Sequence, residues 1–190
     1  MSQKLSTVFL FIITTFAINL IGHGQLQAQN ISHEWGLDAQ QYPTGTILTL
    51  RSNWPSLRQL EAEFRMGVNI VYHGDAGVHQ NEEGLGFGLS LGGRYWFKPH
   101  KTGWHVGARC DFWRNQLDWW DEPSPGMRLT GETTVLVVQP TAFVAYDTQL
   151  SERWRIVPNL AFGAEINTWQ EGEDVGQGAI LLIGLQLVRR

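Results

Sequence analysis

Leu60-Glu61-Ala62-Glu63-Phe64-Arg65-Met66-Gly67-Val68-Asn69-Ile70 is the stretch whose reading decides the fold. Leu60, Ala62, Phe64, Met66, Val68 and Ile70 alternate with Glu61, Glu63, Arg65, Gly67 and Asn69. A period of two puts one set of side chains on each face of a strand, and no amphipathic helix produces it. The stretch therefore predicts a β-strand with one apolar and one polar face.

Working outward, the same alternation returns in Leu85, Phe87, Leu89, Leu91, Gly93, Tyr95 and Phe97, set against Gly86, Gly88, Ser90, Gly92, Arg94 and Trp96. After a turn at Lys98 to Gly103 it resumes with Trp104, Val106, Ala108, Cys110 and Phe112 against His105, Gly107, Arg109, Asp111 and Trp113. These segments read as a hairpin. Keeping like faces together suggests Arg94 opposite His105, Gly92 opposite Gly107 and Ser90 opposite Arg109, since a slip of one residue mixes the faces.

Further alternating runs carry Leu136 to Tyr146, Trp154 to Ile166 and Gly178 to Val188. Ser32 to Gln41 and Thr46 to Arg51 supply two more strands around Pro43, Thr44 and Gly45, which gives about eight. Short turns are expected near Ser52 to Leu57, Lys98 to Thr102 and Asp147 to Ser151. Long loops are expected at His73 to Glu83, Arg114 to Gly131 and Thr168 to Gly176. Pro140 and Pro158 cannot donate to a ladder. A register with Tyr146 opposite Glu152 brings the two prolines together, where they share one local defect such as a bulge.

Ahead of the strands, Met1 to Lys4 carries a positive charge and Val8 to Ile21 is nearly unbroken apolar sequence. This is the layout of a secretory signal peptide, with cleavage expected after Ala28. Its apolar run falls short of the roughly 20 residues a membrane-spanning helix needs. The expected organisation is a signal peptide over 1–28 and one all-β domain over 29–190. The single cysteine, Cys110, excludes an internal disulfide and a cysteine-based metal site. Net charge is −4, and no basic stripe suggests nucleic acid. Charged residues are only 17% of a chain with 21 glycines and 9 tryptophans. The mean hydropathy of −0.19 is neutral, because lipid-facing and lumen-facing residues cancel in a barrel.

The alternation alone permits two polarities, an apolar face turned out to lipid or turned in around a ligand as in a soluble lipocalin-like barrel. The polar face favours the first. It combines small residues with Glu61, Glu63, Arg65, Arg94, His105, Arg109, Asp111, Arg155 and Glu165, a balanced set suited to a cramped lumen of ion pairs and hydrogen bonds. About eight strands leave an interior that side chains fill. Trp104, Trp154, Tyr95, Tyr146 and Phe97 cluster at the turn ends, where aromatic rings favour a membrane interface, and Phe112, Tyr72 and Trp169 are candidates for a second girdle.

In its signal peptide, short strands, short turns and long loops, the chain resembles the small bacterial outer-membrane β-barrels of the OmpA and OmpX type. It departs from them at Leu187, Val188, Arg189 and Arg190, where such proteins usually end in an aromatic residue. The resemblance implies an antiparallel up-and-down transmembrane barrel in the outer membrane. Its implied partners are membrane lipid, lipopolysaccharide and the assembly machinery that inserts such barrels.

No nucleophile, base and acid stand in a motif that marks an enzyme, and no spacing calls for a metal or cofactor. His105 reads as an interior hydrogen-bonded histidine. A lipid A acyltransferase or deacylase is the enzymatic alternative. The candidate recognition element is Asp118, Trp119, Trp120 and Asp121, paired aromatics flanked by acids in an outer loop, suited to an extracellular partner.

Overall fold

The computed structural model describes residues 34–57, 59–74 and 77–189, so the expected signal peptide at 1–28 lies outside the described residues. Eight strands follow in order: β1 (Glu34–Tyr42), β2 (Gly45–Leu57), β3 (Leu60–Gly74), β4 (Asn81–Trp96), β5 (Gly103–Ser124), β6 (Met127–Gln149), β7 (Trp154–Glu171) and β8 (Gly178–Arg189). Each pairs antiparallel with the next, and β8 pairs back onto β1 through Leu37↔Leu187 and Ala39↔Leu185, closing the barrel. Closure gives every strand of the ring a neighbour on both sides.

Faces follow the sequence pattern. Phe87, Phe162 and Ile183 are 63–65% exposed on the outer wall, whereas Arg65 and Asp111 are fully buried inside. A lipocalin-like polarity is thereby overturned: the apolar set faces out, and the interior holds charged side chains. Trp35, Trp54, Tyr95, Phe97, Trp104, Tyr146 and Trp154 are all exposed around the end where β1 begins. Trp104 meets Tyr146 edge-on at 5.0 Å between ring centroids. Tyr72 and Trp169 are exposed towards the opposite end, while Phe112 pairs with Leu89 and Val138 within the belt.

The register departs from expectation in two places. Between β4 and β5 the pairs are Arg94↔Gly107, Gly92↔Arg109 and Ser90↔Asp111, two residues away from the expected alignment. A slip of two preserves the faces, so alternation could not detect it. It sets the small β4 residues Gly88 and Gly92 against the bulky Trp113 and Arg109. The prolines do not meet: β6 and β7 pair as Ala142↔Phe162 and Val144↔Leu160, and Pro158 partners Leu185 of β8 while Pro140 partners Cys110 of β5. The register shift of the β6–β7 ladder lies between Leu136 and Val137, and the register is the same on both sides of each proline.

The strands also run further than apolar alternation reaches. Ser52 to Leu57, expected as a turn, belongs to β2. Most of Arg114 to Gly131, expected as a loop, is a ribbon continuing β5 and β6, which are 22 and 23 residues long; β4 flanks β5 as far as Trp120, so only the tip beyond it is two-stranded. A membrane crossing takes only about 9–11 residues, so the ribbon runs on well past one. It turns at Gly126, whose φ of 81° suits glycine. The loops expected at His73 to Glu83 and Thr168 to Gly176 are likewise shortened, by β3 reaching Gly74, β4 starting at Asn81 and β7 reaching Glu171. In each case polar sequence marked contact with water and not the end of pairing.

Candidate functional site

Inward-pointing side chains at every second position meet across the lumen. Glu63 of β3 accepts from Arg94 of β4, whose guanidinium also bonds Asn53 of β2 at 3.0 Å. Arg65 lies 3.2 Å from Asp38 and 3.9 Å from Glu63, and Arg109 bonds Asp111 at 3.0 Å. Glu61 accepts from the Trp96 indole at 3.0 Å and from Lys101 at 3.1 Å, and lies 3.7 Å from Arg94. Near the start of β1, Arg155 joins Asp147 at 2.7 Å and also Glu34.

At the centre stands Gln40, 1% exposed. Its carbonyl oxygen accepts from Arg109 at 2.6 Å and from Arg65 at 3.4 Å, while its amide donates to Asn159 at 3.0 Å. One side chain from β1 thus ties together β3, β5 and β7. Arg51 is also fully buried, its stem lying over Gly36, where a Cβ would come within 3.3 Å.

The nine charged or titratable lumen residues named from the sequence are all buried inside the ring, but not as one network. Glu61, Glu63, Arg65 and Arg94 form a connected group, and Arg109 joins it through Gln40. Arg155 belongs to the separate Asp147 and Glu34 group. His105 is packed between rings, with Trp96 at 4.2 Å and Phe143 at 6.3 Å, and hydrogen-bonds the backbone of Gly103, while its Nδ1 has no hydrogen-bond partner. Glu165 sits apart, in a cavity of about 120 Å³ at the mouth, with Tyr42, Thr44 and His73.

A wholly polar lumen is not what forms. Tyr42, Ile47, Val71, Trp113, Leu117, Val135, Val137 and Leu182 belong to one buried apolar cluster, and Val175 from the β7–β8 connection joins it. Glycine makes the room: a Cβ on Gly88 would fall into the Trp113 ring, and one on Gly86 into the Asn115 amide. An eight-stranded ring is narrow enough for side chains to fill its interior.

The mouth is tied shut by Glu82, which is fully buried. Its carboxylate accepts from His73 Nδ1 at 2.8 Å, from the backbone of Val78 at 2.7 Å and His79 at 3.1 Å, and from Gly176 at 3.1 Å. Burial pushes its pKa up, but those hydrogen bonds outweigh burial and bring it down to about 2. His79 then donates to Asp121 at 2.7 Å and stacks on Trp119 at 4.0 Å, joining the β3–β4 connection to the ribbon.

No family profile and no curated protein matches the sequence. Among solved structures, the ring is similar to the N-terminal β-barrel domain of Pseudomonas aeruginosa OprF, at 10% identity and a TM-score of 0.42, covering 82% of this chain and 96% of that one. It is similar to Neisserial surface protein A at 12% identity and a TM-score of 0.45, covering 82% and 93% of the two chains. Acinetobacter baumannii CarO2 aligns at 12% identity and a TM-score of 0.42, covering 82% and 97%.

The four residues expected to form a recognition loop divide by face. Asp118 is exposed on the outer side of β5. Trp120 lies under Arg128, whose guanidinium carbon is 4.4 Å from the indole centroid. Trp119, 8% exposed, and Asp121 point to the other side and hold His79. Sequence reading missed Asp38, Gln40, Arg51, Glu82 and the His73 and His79 contacts. Asp38 and Gln40 alternate with Leu37 and Ala39, a short signal that the ladder to β8 reveals as wall.

Proposed function

We propose that this protein is an integral β-barrel of a bacterial outer membrane, exported with residues 1–28 removed. Its role is non-enzymatic: the barrel anchors and the ribbon presents. The observation that carries this reading is the inverted distribution of side chains in a closed ring. Leucines, phenylalanines and isoleucines cover the outer wall while guanidinium and carboxylate groups lie buried inside. In water such a wall forfeits roughly 1.5–3 kcal/mol per large apolar side chain, and its band far exceeds the few hundred Å² usually exposed on a soluble monomer. Hydrocarbon removes that cost, and the aromatic rings at the β1-start end suit an interface.

The filled lumen supports an anchor in preference to a conduit. The His73–Glu82 pair resembles a base oriented by an acid, but Glu82 is committed to three backbone amides of the mouth. The cavity beside it holds about 120 Å³ and is lined by the buried side chains of Tyr42, Glu165 and Ile180. That arrangement favours a latch over lipid A chemistry. On the ribbon, Asp118 and Trp120 supply the contact side for lipopolysaccharide or an external partner, and Trp119 and Asp121 brace it from behind.

Fractionation of expressing cells tests the reading. Retention in the outer membrane through carbonate extraction, with gel mobility that changes on boiling, is the expected result. Release as a soluble periplasmic protein overturns it. Lipid A mass spectra that differ between cells with and without the protein would overturn the non-enzymatic role.

A further inference from the structure

The outer wall is not evenly covered. Along β2 the outward positions run Leu48, Leu50, Ser52 and Trp54, so one small polar residue interrupts a row of large ones. Ser52 is only 3% exposed although it points outward, because its neighbours rise around it. Trp35 pairs with it on β1 and Phe64 on β3. Trp54 stacks on Phe64 at 6.4 Å. Together with Leu50 and Met66 they enclose a groove of about 460 Å³ that runs along β2 from the aromatic end towards the middle of the belt.

A second observation identifies the kind of molecule that fits. The Trp35 rung continues to Arg189 of β8, which also pairs with Trp154 of β7. Arg189 is exposed on the outer side and makes no ion pair among the described residues. Arg189, Trp35, Ser52 and Phe64 therefore stand side by side on four adjacent strands, spanning roughly 14 Å at the usual strand spacing. A guanidinium suits a phosphate and a tryptophan suits the membrane interface, and Trp35 is shared between the Arg189 rung and the lining of the apolar groove.

We propose that this face holds one anionic glycerophospholipid of the periplasmic leaflet, its phosphate on Arg189 and one acyl chain laid over Ser52 between Trp35 and Phe64. The inference rests on the membrane reading above. Ordinary annular lipid exchanges freely over a smooth wall; here the notch adds contact on three sides of the chain and the arginine adds selection by charge.

The test uses the mature chain in nanodiscs of equal parts dioleoyl phosphatidylglycerol and dioleoyl phosphatidylethanolamine, released into the gas phase for native mass spectrometry. The wild type should retain one phosphatidylglycerol. Ser52→Leu, which fills the notch, should reduce retention about tenfold, a change equivalent to about 1.4 kcal/mol. Arg189→Gln should still retain a lipid but lose the preference for phosphatidylglycerol. A wild type that holds no lipid, or variants that match it on both counts, overturns the site. Heat-dependent gel mobility and quenching of tryptophan fluorescence by brominated lipid report insertion separately for every variant. If insertion holds and retention is flat, the site alone falls; if the wild type does not insert, the membrane reading falls with it.

Discussion

Two buried side chains organise the middle and the mouth of this barrel in different ways. Gln40, with Glu63 close by, ties strand to strand: its partners Arg65, Arg109 and Asn159 all project from the barrel wall. Glu82 ties connection to connection, and three of its four partners are backbone amides of the β3–β4 and β7–β8 segments. The first arrangement pins elements that the ladder already fixes, so its loss acts on the stability of the whole ring. The second holds connecting segments that lie outside the ladder, so its loss acts locally. The interior is thus a strut at its centre and a latch at its mouth.

The sharpest way to break that contrast is at the strut. Glu63→Ala removes the acceptor shared by Arg94 and approached by Arg65, leaving guanidinium groups uncompensated in a site closed to water. The expected loss is about 3–5 kcal/mol of barrel stability. Urea unfolding in lipid vesicles, followed by gel mobility without boiling, measures it. A loss below about 1 kcal/mol would mean that the remaining network re-pairs freely and that no strut exists.

Gln40→Ala comes next, at about 1–3 kcal/mol, since it leaves the Arg109 and Asn159 groups without their partner but removes no charge. Glu63→Ala and Gln40→Ala both touch Arg65, so their effects should depart from additivity by at least 0.5 kcal/mol or so in a double-mutant cycle. Strict additivity would separate the two and dissolve the strut into independent contacts.

How much of this was legible beforehand follows from what alternation encodes. Leu60 to Ile70 and Leu85 to Phe112 give the faces of their strands, and the closed eight-stranded ring agrees with the count they suggested. Alternation is blind to slips of two, which is why Arg94 stands opposite Gly107 and not His105. It also fades where both faces are polar, which hid the ribbon at Arg114 to Gly131. Gln40 was unreadable because its role depends on strands 25, 69 and 119 residues away. Glu82 looked like any acid in a polar stretch, since its partners are backbone amides that carry no residue signature.

At the latch, Glu82→Gln should leave the ring and its gel mobility intact while exposing residues 77–80 and 172–177 to protease. Acid offers the same test without mutation. The Glu82 carboxyl is depressed from its usual 4.5 to about 2, so its contribution is complete above about pH 4.5 and is lost as pH falls through 2. Protease resistance of the two connections should therefore hold at pH 5 and decline below about pH 4, and the variant should show neither the resistance nor its decline. Unchanged resistance in Glu82→Gln would show that the apolar contacts of Val175 suffice to close the mouth.

The smallest effect belongs to the ribbon. Arg128 lies over Trp120 at 4.4 Å, an exposed cation–π contact between β6 and β5. Removing it in Arg128→Ala should cost about 0.5–1 kcal/mol, read as faster amide exchange in the ribbon with barrel unfolding unchanged. The latch runs through the opposite face, where His79 packs on Trp119 and bonds Asp121. If Arg128→Ala also released residues 77–80 to protease, the two faces of the ribbon would be coupled and the contact side would report on the mouth. If protection at the mouth is unaffected, Trp120 is free to meet a partner without disturbing the closed lumen, as an anchor with an independent arm requires.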